Sequence, residues 1–517
     1  MQNLREWTYI SLPWLAFAMF FFISFFFLAF FEDVDSTYTS KNYLTGLFFN
    51  TVLLSFGSAI MSALIAVPLA ILVTFYKFPG HKFFSWALSL SIAFPAYVYA
   101  FIFVGIFEYA SPVSEYLRQF GISIPSIKNI YGASLVMSMA LFPYIFLLAK
   151  AQLSYVGVGI FKAAKSLGDK NLSAIRKVII PSIKPVIFAG MALVIFETIS
   201  DLGGVRTLSI ETFTVGIYDA WFGYQSYFSA ARLAGYLLIF VLFIIFLSKY
   251  FGNKSGSIAP KTAEVFEKIE LKIAGKYIST LVCSLIFLFV FCIPFIQLFL
   301  WHFNNTYFEL FEHLKLLLNS ALLGIFVALL TVFFAISLSL SYKRTRYLKT
   351  MISVSTSGYA IPGSVISSGL LISFYLIFDT AITLYGVLGL VMCLSLRFMT
   401  PAFNYISSSL TNIPKSSENA LLTQPKNSYK AFLNFYLPQM KPAILLGIMI
   451  VFIESIKEQP ATLLLRPVGF DTLSTKVYNF TSEGQWIMAS SPSLLLILLS
   501  LIFVYLINKN IDLNKYN

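Results

Sequence analysis

The sequence predicts an all-α integral membrane protein built from two tandem, parallel six-helix units. Three observations carry this prediction: a very apolar composition, about twelve apolar runs of membrane-spanning length, and a second half that repeats the first. Of the 517 residues, 58% are hydrophobic and only 11% are charged, whereas soluble domains carry about 25% charged residues. Lipid is therefore expected to cover much of the surface.

The apolar runs define the expected spans. A hydrocarbon core of about 30 Å requires roughly 20 apolar residues per helix. The first run is longer than a signal-peptide core of about 7–15 residues, so we expect it to remain as a transmembrane helix. The predicted spans are 10–31, 46–75, 86–108, 130–149, 183–203, 231–248, 277–300, 315–341, 350–378, 382–404, 440–458 and 489–508.

The charges predict the orientation of these spans. If the amino terminus is cytoplasmic, the cytoplasmic segments hold 27 of the 36 Lys and Arg residues but only 7 of the 23 Asp and Glu residues. That count places residues 397–441 in a cytoplasmic loop, and it follows the positive-inside rule. Both termini are therefore expected in the cytoplasm. The net charge of +13 is explained by topology, and a nucleic-acid partner is not expected.

The two halves repeat at a constant spacing of 257 residues over one stretch. Six spans precede the polar segment 249–276 and six follow it, so both halves enter the membrane in the same orientation. We expect a first unit at 1–248, a cytoplasmic linker at 249–276 and a second unit at 277–517. Prolines and acids coincide in the repeat: Pro181, Lys184, Pro185, Gly190, Glu197 and Asp201 align with Pro438, Lys441, Pro442, Gly447, Glu454 and Glu458.

Two long loops precede the aligned prolines, at about 155–182 and 412–439. Each has the pattern of a short helix, a turn and a second helix that leads into the membrane. In the first loop, Ala163 and Ala164 are small enough for close approach of a partner, and Gly168 permits a turn before Pro181. The alternative is a solvated basic loop, which two loops at matched positions make less attractive.

These loops resemble the EAA loop of ABC importer permeases, which docks onto the ATPase. The first loop keeps Ala163, Ala164, Gly168 and Pro181 of that pattern but has Lys162 in the Glu position. The second is degenerate: it keeps Ala420 and Pro438, has Pro425 where the pattern has Gly, and offers Glu418 as a neighbouring acid.

The resemblance implies the type I ABC importer permease fold and two copies of a cytoplasmic ABC ATPase as partners. The chain contains no G-x-x-x-x-G-K-[ST] motif. ATP-Mg would therefore bind the partner ATPase, with no cofactor on this chain, and the chain itself would be a transport subunit rather than an enzyme.

Two further stretches are similar to the ferric-iron permeases. They are ETISDLGGVRTLSIETFTVGIYDAWFGYQS at 197–226 and ESIKEQPATLLLRPVGFDTLSTKVYNFTSEG at 454–484. This resemblance implies a fused twelve-helix permease in a bacterial cytoplasmic (inner) membrane. It would be supplied by a periplasmic or extracellular iron-binding protein and would work by alternating access between the halves. A thiamine or phosphonate importer is the alternative within the class, and an ion-coupled secondary transporter is the alternative outside it.

Two acid pairs are the candidate site of the translocation path or outer gate. Glu197 and Asp201, like Glu454 and Glu458, are four residues apart and share a helix face. In one interpretation they form ion pairs that brace the outer gate, with Lys457, Arg206 or Arg466 as partners. In the other they form a cation-attracting ring where the halves meet, because hard trivalent iron prefers oxygen ligands. Tyr218 and Tyr478 would then make transient contact.

No dedicated metal site is expected. The three cysteines (Cys283, Cys292 and Cys393) lie in apolar runs without C-x-x-C spacing, and the three histidines are scattered. The aromatic residues of the outer segments are interpreted as interfacial anchors, with docking of the binding protein as the alternative; they are Trp221, Phe222, Tyr224, Phe480 and Trp486.

Overall fold

The structure is a computed structural model that describes residues 5–31, 40–168, 171–252, 268–306, 308–345, 347–378, 386–414, 416–417 and 432–513. Within these residues, ten helices are long and apolar enough to cross a membrane. Two further helix pairs qualify as bent spans, which gives up to twelve. The prediction of an all-α membrane protein with about twelve spans is confirmed.

The first half begins with the long helices α1 and α2 and ends with α11. Its elements are α1 Arg5–Phe31, α2 Lys41–Phe75, β1 Tyr76–Lys77, α3 His81–Ala87, α4 Ala96–Phe107, α5 Pro112–Gln119, α6 Ile130–Ser166, α7 Asn171–Ala174, α8 Ile180–Ser200, α9 Gly203–Thr207, α10 Phe213–Tyr218 and α11 Tyr227–Gly252. A 3₁₀ turn at Leu90–Ala93 precedes α4, and π-helical turns at Ile175–Ile179 and Asp219–Gly223 precede α8 and follow α10.

The second half repeats this order. Its elements are β2 Ile269–Glu270, α12 Ile273–Phe287, α13 Ile293–Phe303, α14 Leu310–Arg344, α15 Lys349–Ser355, α16 Gly363–Phe378, α17 Val387–Arg397, α18 Met399–Thr411, α19 Leu437–Lys457, α20 Pro460–Leu465, α21 Leu473–Ser482 and α22 Trp486–Leu513. A π-helical turn at Leu288–Cys292 separates α12 from α13, a 3₁₀ turn at Gly358–Ala360 precedes α16, and a π-helical turn at Phe432–Tyr436 precedes α19.

Matched hydrogen bonds show that the repeat extends to side chains. The Asn50 amide donates to the Glu211 carbonyl at 2.9 Å, and the Asn319 amide donates to the Asp471 carbonyl at 2.9 Å. Next to them, the backbone N–H of Phe213 donates to the Thr51 hydroxyl, and that of Leu473 donates to the Ser320 hydroxyl. In both halves, a polar pair on the long helix thus fastens the segment that follows the fifth span.

Prolines divide two of the predicted spans. The runs 86–108 and 350–378 were each expected as one helix, but the chain breaks at Pro95 and at Pro362. Proline has no N–H to donate and disfavours helical backbone in the residue before it. The second break turns the chain by 119°. The predicted span 382–404 is also bent, by 52° between Arg397 and Met399.

The first helix of each half packs against the other half. Helix α1 lies against α14, α15 and α16, where Trp14 stacks on Phe334 at 4.8 Å and Ser24 hydrogen-bonds Ser373 at 2.8 Å. Helix α13 correspondingly lies against α4, and Trp301 stacks on Phe101. Each unit thus packs its first helix against the other unit.

The linker reaches back to the first half. Residues 253–267 of the predicted linker lie outside the described residues, and Ile269–Glu270 pair in parallel with Tyr76–Lys77. The Glu270 carboxylate lies 3.3 Å from the Lys77 ammonium and 3.7 Å from that of Lys276. The hydrogen bond from Lys77 holds the pKa of Glu270 below its usual value, with a smaller contribution from Lys276.

Candidate functional site

The two acid pairs lie at the same place in the two halves, where helices α8 and α19 end. Helix α8 ends at Ser200 and α19 ends at Lys457, and each is followed by an extended residue and a short buried helix, α9 or α20. The extended residues are Asp201 and Glu458. Glu197 and Glu454 lie one turn earlier on α8 and α19.

All four acids line one cavity between the halves, which has a volume of about 70 Å³. Two basic residues, Arg397 and Lys457, line it as well. The remaining lining is contributed by the start of α4 and the segment before it, by α6, and by residues around the ends of α8, α17 and α19: Ile92, Phe94, Pro95, Ala96, Tyr97, Ala140, Leu141, Tyr144, Ser200, Leu202, Phe398, Gln459 and Pro460.

Asp201 and Glu458 cap the short helices. The Gly204 N–H donates to the Asp201 carboxylate at 2.7 Å. The Ala461 and Thr462 N–H groups donate to the two oxygens of Glu458 at 3.0 and 3.1 Å. Each carboxylate therefore satisfies backbone donors that the first turn of a helix leaves unpaired. This accounts for an acid at the break in both halves.

Glu197 bonds across the cavity, whereas Glu454 pairs with a lysine of its own helix. The Tyr359 hydroxyl, from the second half, donates to Glu197 at 2.6 Å. Glu454 faces the Lys457 ammonium at 3.7 Å. The same ammonium donates to the Ile92 carbonyl of the first half at 3.0 Å. Glu197 thus joins the halves directly, and Glu454 is linked to the first half through Lys457.

The interpretation that Arg206 or Arg466 pairs with these acids is wrong. Arg206 pairs with Asp219 at 2.8 Å, and Arg466 pairs with Asp471. These partners lie in the same segments as the arginines, so a local pair forms without crossing the interface. Lys457 does pair with Glu454, as that interpretation also proposed.

Sequence reasoning missed Arg397, which it placed in a cytoplasmic loop. The structure places Arg397 at the bend between α17 and α18, buried, with its guanidinium donating to the Ile361 carbonyl at 3.2 Å. A lone cation at the end of the apolar run VLGLVMCLSLR was the available signal, because an ionised group within a span usually faces a cavity or partner.

Tyr218 and Tyr478 meet across the interface. Their ring centroids are 5.6 Å apart with an angle of 64° between the planes, and the Arg206 guanidinium lies 5.4 Å from the Tyr218 centroid. Nearby, a Cβ on Gly203 would lie only 2.2 Å from Oε1 of Gln459. The halves are therefore in close contact beyond the acid-lined cavity.

The first predicted coupling loop is described in part. The expected short helix is the end of α6, which runs unbroken from Ile130 to Ser166 and includes Ala163 and the buried Ala164. Gly168 has a φ of +96°, a conformation that glycine adopts without steric cost. Pro181 lies in the first turn of α8, where no N–H is needed.

The second predicted coupling loop lies largely outside the described residues. This holds for Glu418, Ala420 and Pro425. Pro438 is described and lies in the first turn of α19, in the position that Pro181 has in α8.

The aromatic residues of the outer segments pack against neighbours. Trp221 contacts Tyr227 at 4.7 Å and Phe222 contacts Tyr218 at 4.8 Å. The Trp486 indole donates to Glu108 at 2.9 Å. Phe222 and Tyr224 are exposed, so their rings are accessible to lipid or to a docked protein.

His, Cys, Asp and Glu side chains do not gather into a metal-binding group of three or more anywhere in the part of the chain that the structure describes. The three cysteines are free, and Cys283 and Cys393 are buried.

Comparison with known proteins finds similarity to permeases of transport systems. Residues 66–253 match the family of binding-protein-dependent transport system inner membrane components. The Fe(3+)-transport system permease protein FbpB 2 of Haemophilus influenzae is 26% identical over 475 residues, 89% of each chain. The sulfate transport system permease protein CysT of Salmonella typhimurium is 26% identical over 30% of this chain and 55% of its own. A putative 2-aminoethylphosphonate transport system permease protein, PhnU, of the same species is 23% identical over 42% of this chain and 84% of its own.

Proposed function

Because this chain is an inner membrane permease of binding-protein-dependent ABC transport with the type I fold, we propose that it translocates ferric iron into the cytoplasm. The ferric-transport relative is similar over 89% of both chains, whereas the sulfate permease matches only 30% of this chain. The similarity alone does not distinguish iron from sulfate or a phosphonate as the substrate, so the choice between them rests on the chemistry of the cavity.

The charge of the cavity favours a cation. It is lined by four carboxylates, Glu197, Asp201, Glu454 and Glu458, and by two cations, Arg397 and Lys457. With every group ionised, its formal charge is −2. Such a lining repels sulfate or a phosphonate and attracts a metal cation. Carboxylate and phenol oxygens are also the ligands that hard Fe³⁺ prefers.

The contact with iron is expected to be brief. Glu197 and Glu454 already bond to Tyr359 and Lys457, so an entering cation competes with existing partners rather than filling a prepared cage. Weak contact suits a carrier, since tight chelation would hinder release.

In this proposal the two halves move relative to each other, so that the cavity opens alternately to the two sides of the membrane. Tyr218–Tyr478 and Gly203–Gln459 close the interface on one side of the cavity. A periplasmic or extracellular binding protein would deliver iron there. Two copies of a cytoplasmic ATPase would bind at the loops near Gly168 and before Pro438, and their closure on ATP would rock the halves. ATP hydrolysis belongs to that partner, and both termini of the chain lie in the cytoplasm.

Uptake into proteoliposomes that contain the permease, its ATPase and the iron-loaded binding protein tests the proposal. We expect ATP-dependent accumulation of radioactive iron and none of sulfate, 2-aminoethylphosphonate or thiamine. The double variant Glu197→Gln with Glu454→Gln should take up iron about tenfold more slowly or worse, because it removes the charges that face the cation at short range.

The control replaces Glu115 by Gln, an acid of α5 outside the cavity lining, and should behave as wild type. Accumulation of an oxyanion or of thiamine would refute the iron assignment. Iron uptake without the ATPase would instead identify a secondary transporter.

A further inference from the structure

The two halves are unequal at the cavity, although their backbones repeat. Pro95 immediately precedes α4, and Pro362 immediately precedes α16, at equivalent breaks in the two halves. The spacing of 267 residues between these prolines makes Ile92 the counterpart of Tyr359. The spacing of 257 residues that aligns Glu197 with Glu454 places Ser200 opposite Lys457. The two equivalent glutamates therefore have different neighbours: Tyr359 and Ser200 near Glu197 correspond to Ile92 and Lys457 near Glu454.

Each glutamate is satisfied in its own way. Glu197 receives a hydrogen bond from Tyr359 of the other half. At the position equivalent to that tyrosine, Glu454 has Ile92, which offers only a backbone carbonyl, while Tyr144 of the first half lies beside Glu454 from another helix. Lys457 bridges the gap, with its ammonium 3.7 Å from Glu454 and 3.0 Å from the Ile92 carbonyl.

The second half also supplies both basic residues that line the cavity. Arg397 aligns with Pro143 at the spacing that aligns Gly132 with Gly386, and Lys457 aligns with Ser200. Both bases of the lining therefore come from the half that contributes Glu454 and Glu458, and they act on Glu197 across the interface. The Ser200 hydroxyl is buried and has no hydrogen-bond partner among the described residues.

A helix-terminal lysine often serves only to interact with its own helix dipole. Lys457 does more, because its ammonium bonds to a carbonyl of the opposite half. Its side chain is 9% exposed and that of Glu454 is 15% exposed, so the pair is held in the interface rather than in solvent. An ammonium held beside a carboxylate in this cavity occupies the kind of position that a transported cation takes.

We propose that Lys457 is a tethered counter-ion that occupies the cation's place beside Glu454 between transport events. The inference rests on the proposed transport of a cation. The ammonium neutralises Glu454 and excludes other cations while no substrate is present. An arriving metal ion binds first on the side of Glu197, which is held by the Tyr359 hydroxyl, whereas Glu454 is held by the Lys457 ammonium. Its charge then repels the ammonium, and Lys457 withdraws from the Ile92 carbonyl, which frees the interface to move.

Binding of Tb³⁺ to the purified permease–ATPase complex tests this arrangement without transport. Tyrosines sensitise Tb³⁺ luminescence at short range, and Tyr97 and Tyr144 line the cavity. We expect Lys457→Met to bind Tb³⁺ roughly tenfold more tightly than wild type or better, because a like charge next to the site is removed. Lys457→Arg should bind as wild type does. Adding Glu454→Gln to Lys457→Met should reverse the gain.

Lys276→Met is the matched control, since this lysine pairs with Glu270 outside the cavity, and it should leave Tb³⁺ binding unchanged. Equal affinities of wild type and Lys457→Met would overturn the inference, as would a gain that persists without Glu454.

The repeat offers a second test that does not depend on the lysine variants. Ser200→Lys places another ammonium at the equivalent position, so we expect weaker Tb³⁺ binding and slower iron uptake. Unchanged Tb³⁺ binding in this variant would also overturn the inference. Failure of wild type to accumulate iron would instead refute the proposed function, whatever Tb³⁺ binding shows.

Discussion

Tyr218 and Tyr478 occupy equivalent positions in the two halves and contact each other, with ring centroids 5.6 Å apart. Each ring lies on a short helix, Phe213–Tyr218 or Leu473–Ser482, and the long helix of the same half bonds to the segment just before that helix through Asn50 or Asn319. Movement of one half relative to the other must therefore separate the two rings. Their contact is the measure of whether this side of the interface is closed.

Cross-linking these positions should stop transport. Tyr218→Cys with Tyr478→Cys, joined by a short, reducible thiol cross-linker, holds this end of the interface closed. We expect iron uptake in proteoliposomes to cease and to return on reduction. The single variants, which retain the native cysteines, should be unaffected by the reagent. Undiminished uptake in the cross-linked protein would show that the two tyrosines need not part.

The bond between Tyr359 and Glu197 should contribute to stability. A hydrogen bond to a charged group contributes about 1.5–3 kcal/mol, so Tyr359→Phe should lower the apparent melting temperature of the purified complex. A double-mutant cycle with Glu197→Gln isolates the interaction. A coupling energy near zero would mean that the 2.6 Å contact does not join the halves energetically.

We expect the main role of Asp201 and Glu458 to be capping of the short helices α9 and α20. Replacement of a capping acid by Ala costs about 0.5–2 kcal/mol, so Asp201→Ala and Glu458→Ala should each lower the apparent melting temperature. Asp201→Asn and Glu458→Gln keep an acceptor oxygen and should stay close to wild type in stability. If the amide variants are as unstable as the alanine variants, charge rather than capping explains these residues.

Gly168 should be required for its backbone conformation. Its φ of +96° strains any residue with a Cβ, by about 1–2 kcal/mol in the left-handed region. We expect Gly168→Ala to impair ATP-dependent iron uptake, and Gly168→Pro to abolish it while the protein still inserts. Gly46→Ala is the control, because a Cβ there meets nothing within 4 Å and φ is not positive. Normal uptake by Gly168→Pro would argue against coupling at this loop.

Glu197 and Glu454 show how much of the candidate site the sequence could predict. Their spacing on one helix face and their place in the repeat predicted that they would lie at the interface, and the structure places both on the cavity. The sequence did not separate them from Asp201 and Glu458, because capping depends on where the helix breaks. The tyrosine that bonds Glu197 and the carbonyl that holds Lys457 come from segments more than 160 residues away in the chain, and no local pattern records such contacts.

The sequence by itself determined the class of molecule: a membrane protein of about twelve helices, duplicated, with acids at matched positions. Those features follow from apolar length, from the repeat and from proline chemistry, which act locally along the chain. Tertiary structure alone decided that α1 crosses to the other half, that Arg397 is buried at the cavity, and that the Lys457 ammonium reaches the Ile92 carbonyl of the first half. The reason is physical, since a charge within an apolar interior is paired by whichever group the packing brings within reach, and packing joins residues that the sequence keeps far apart.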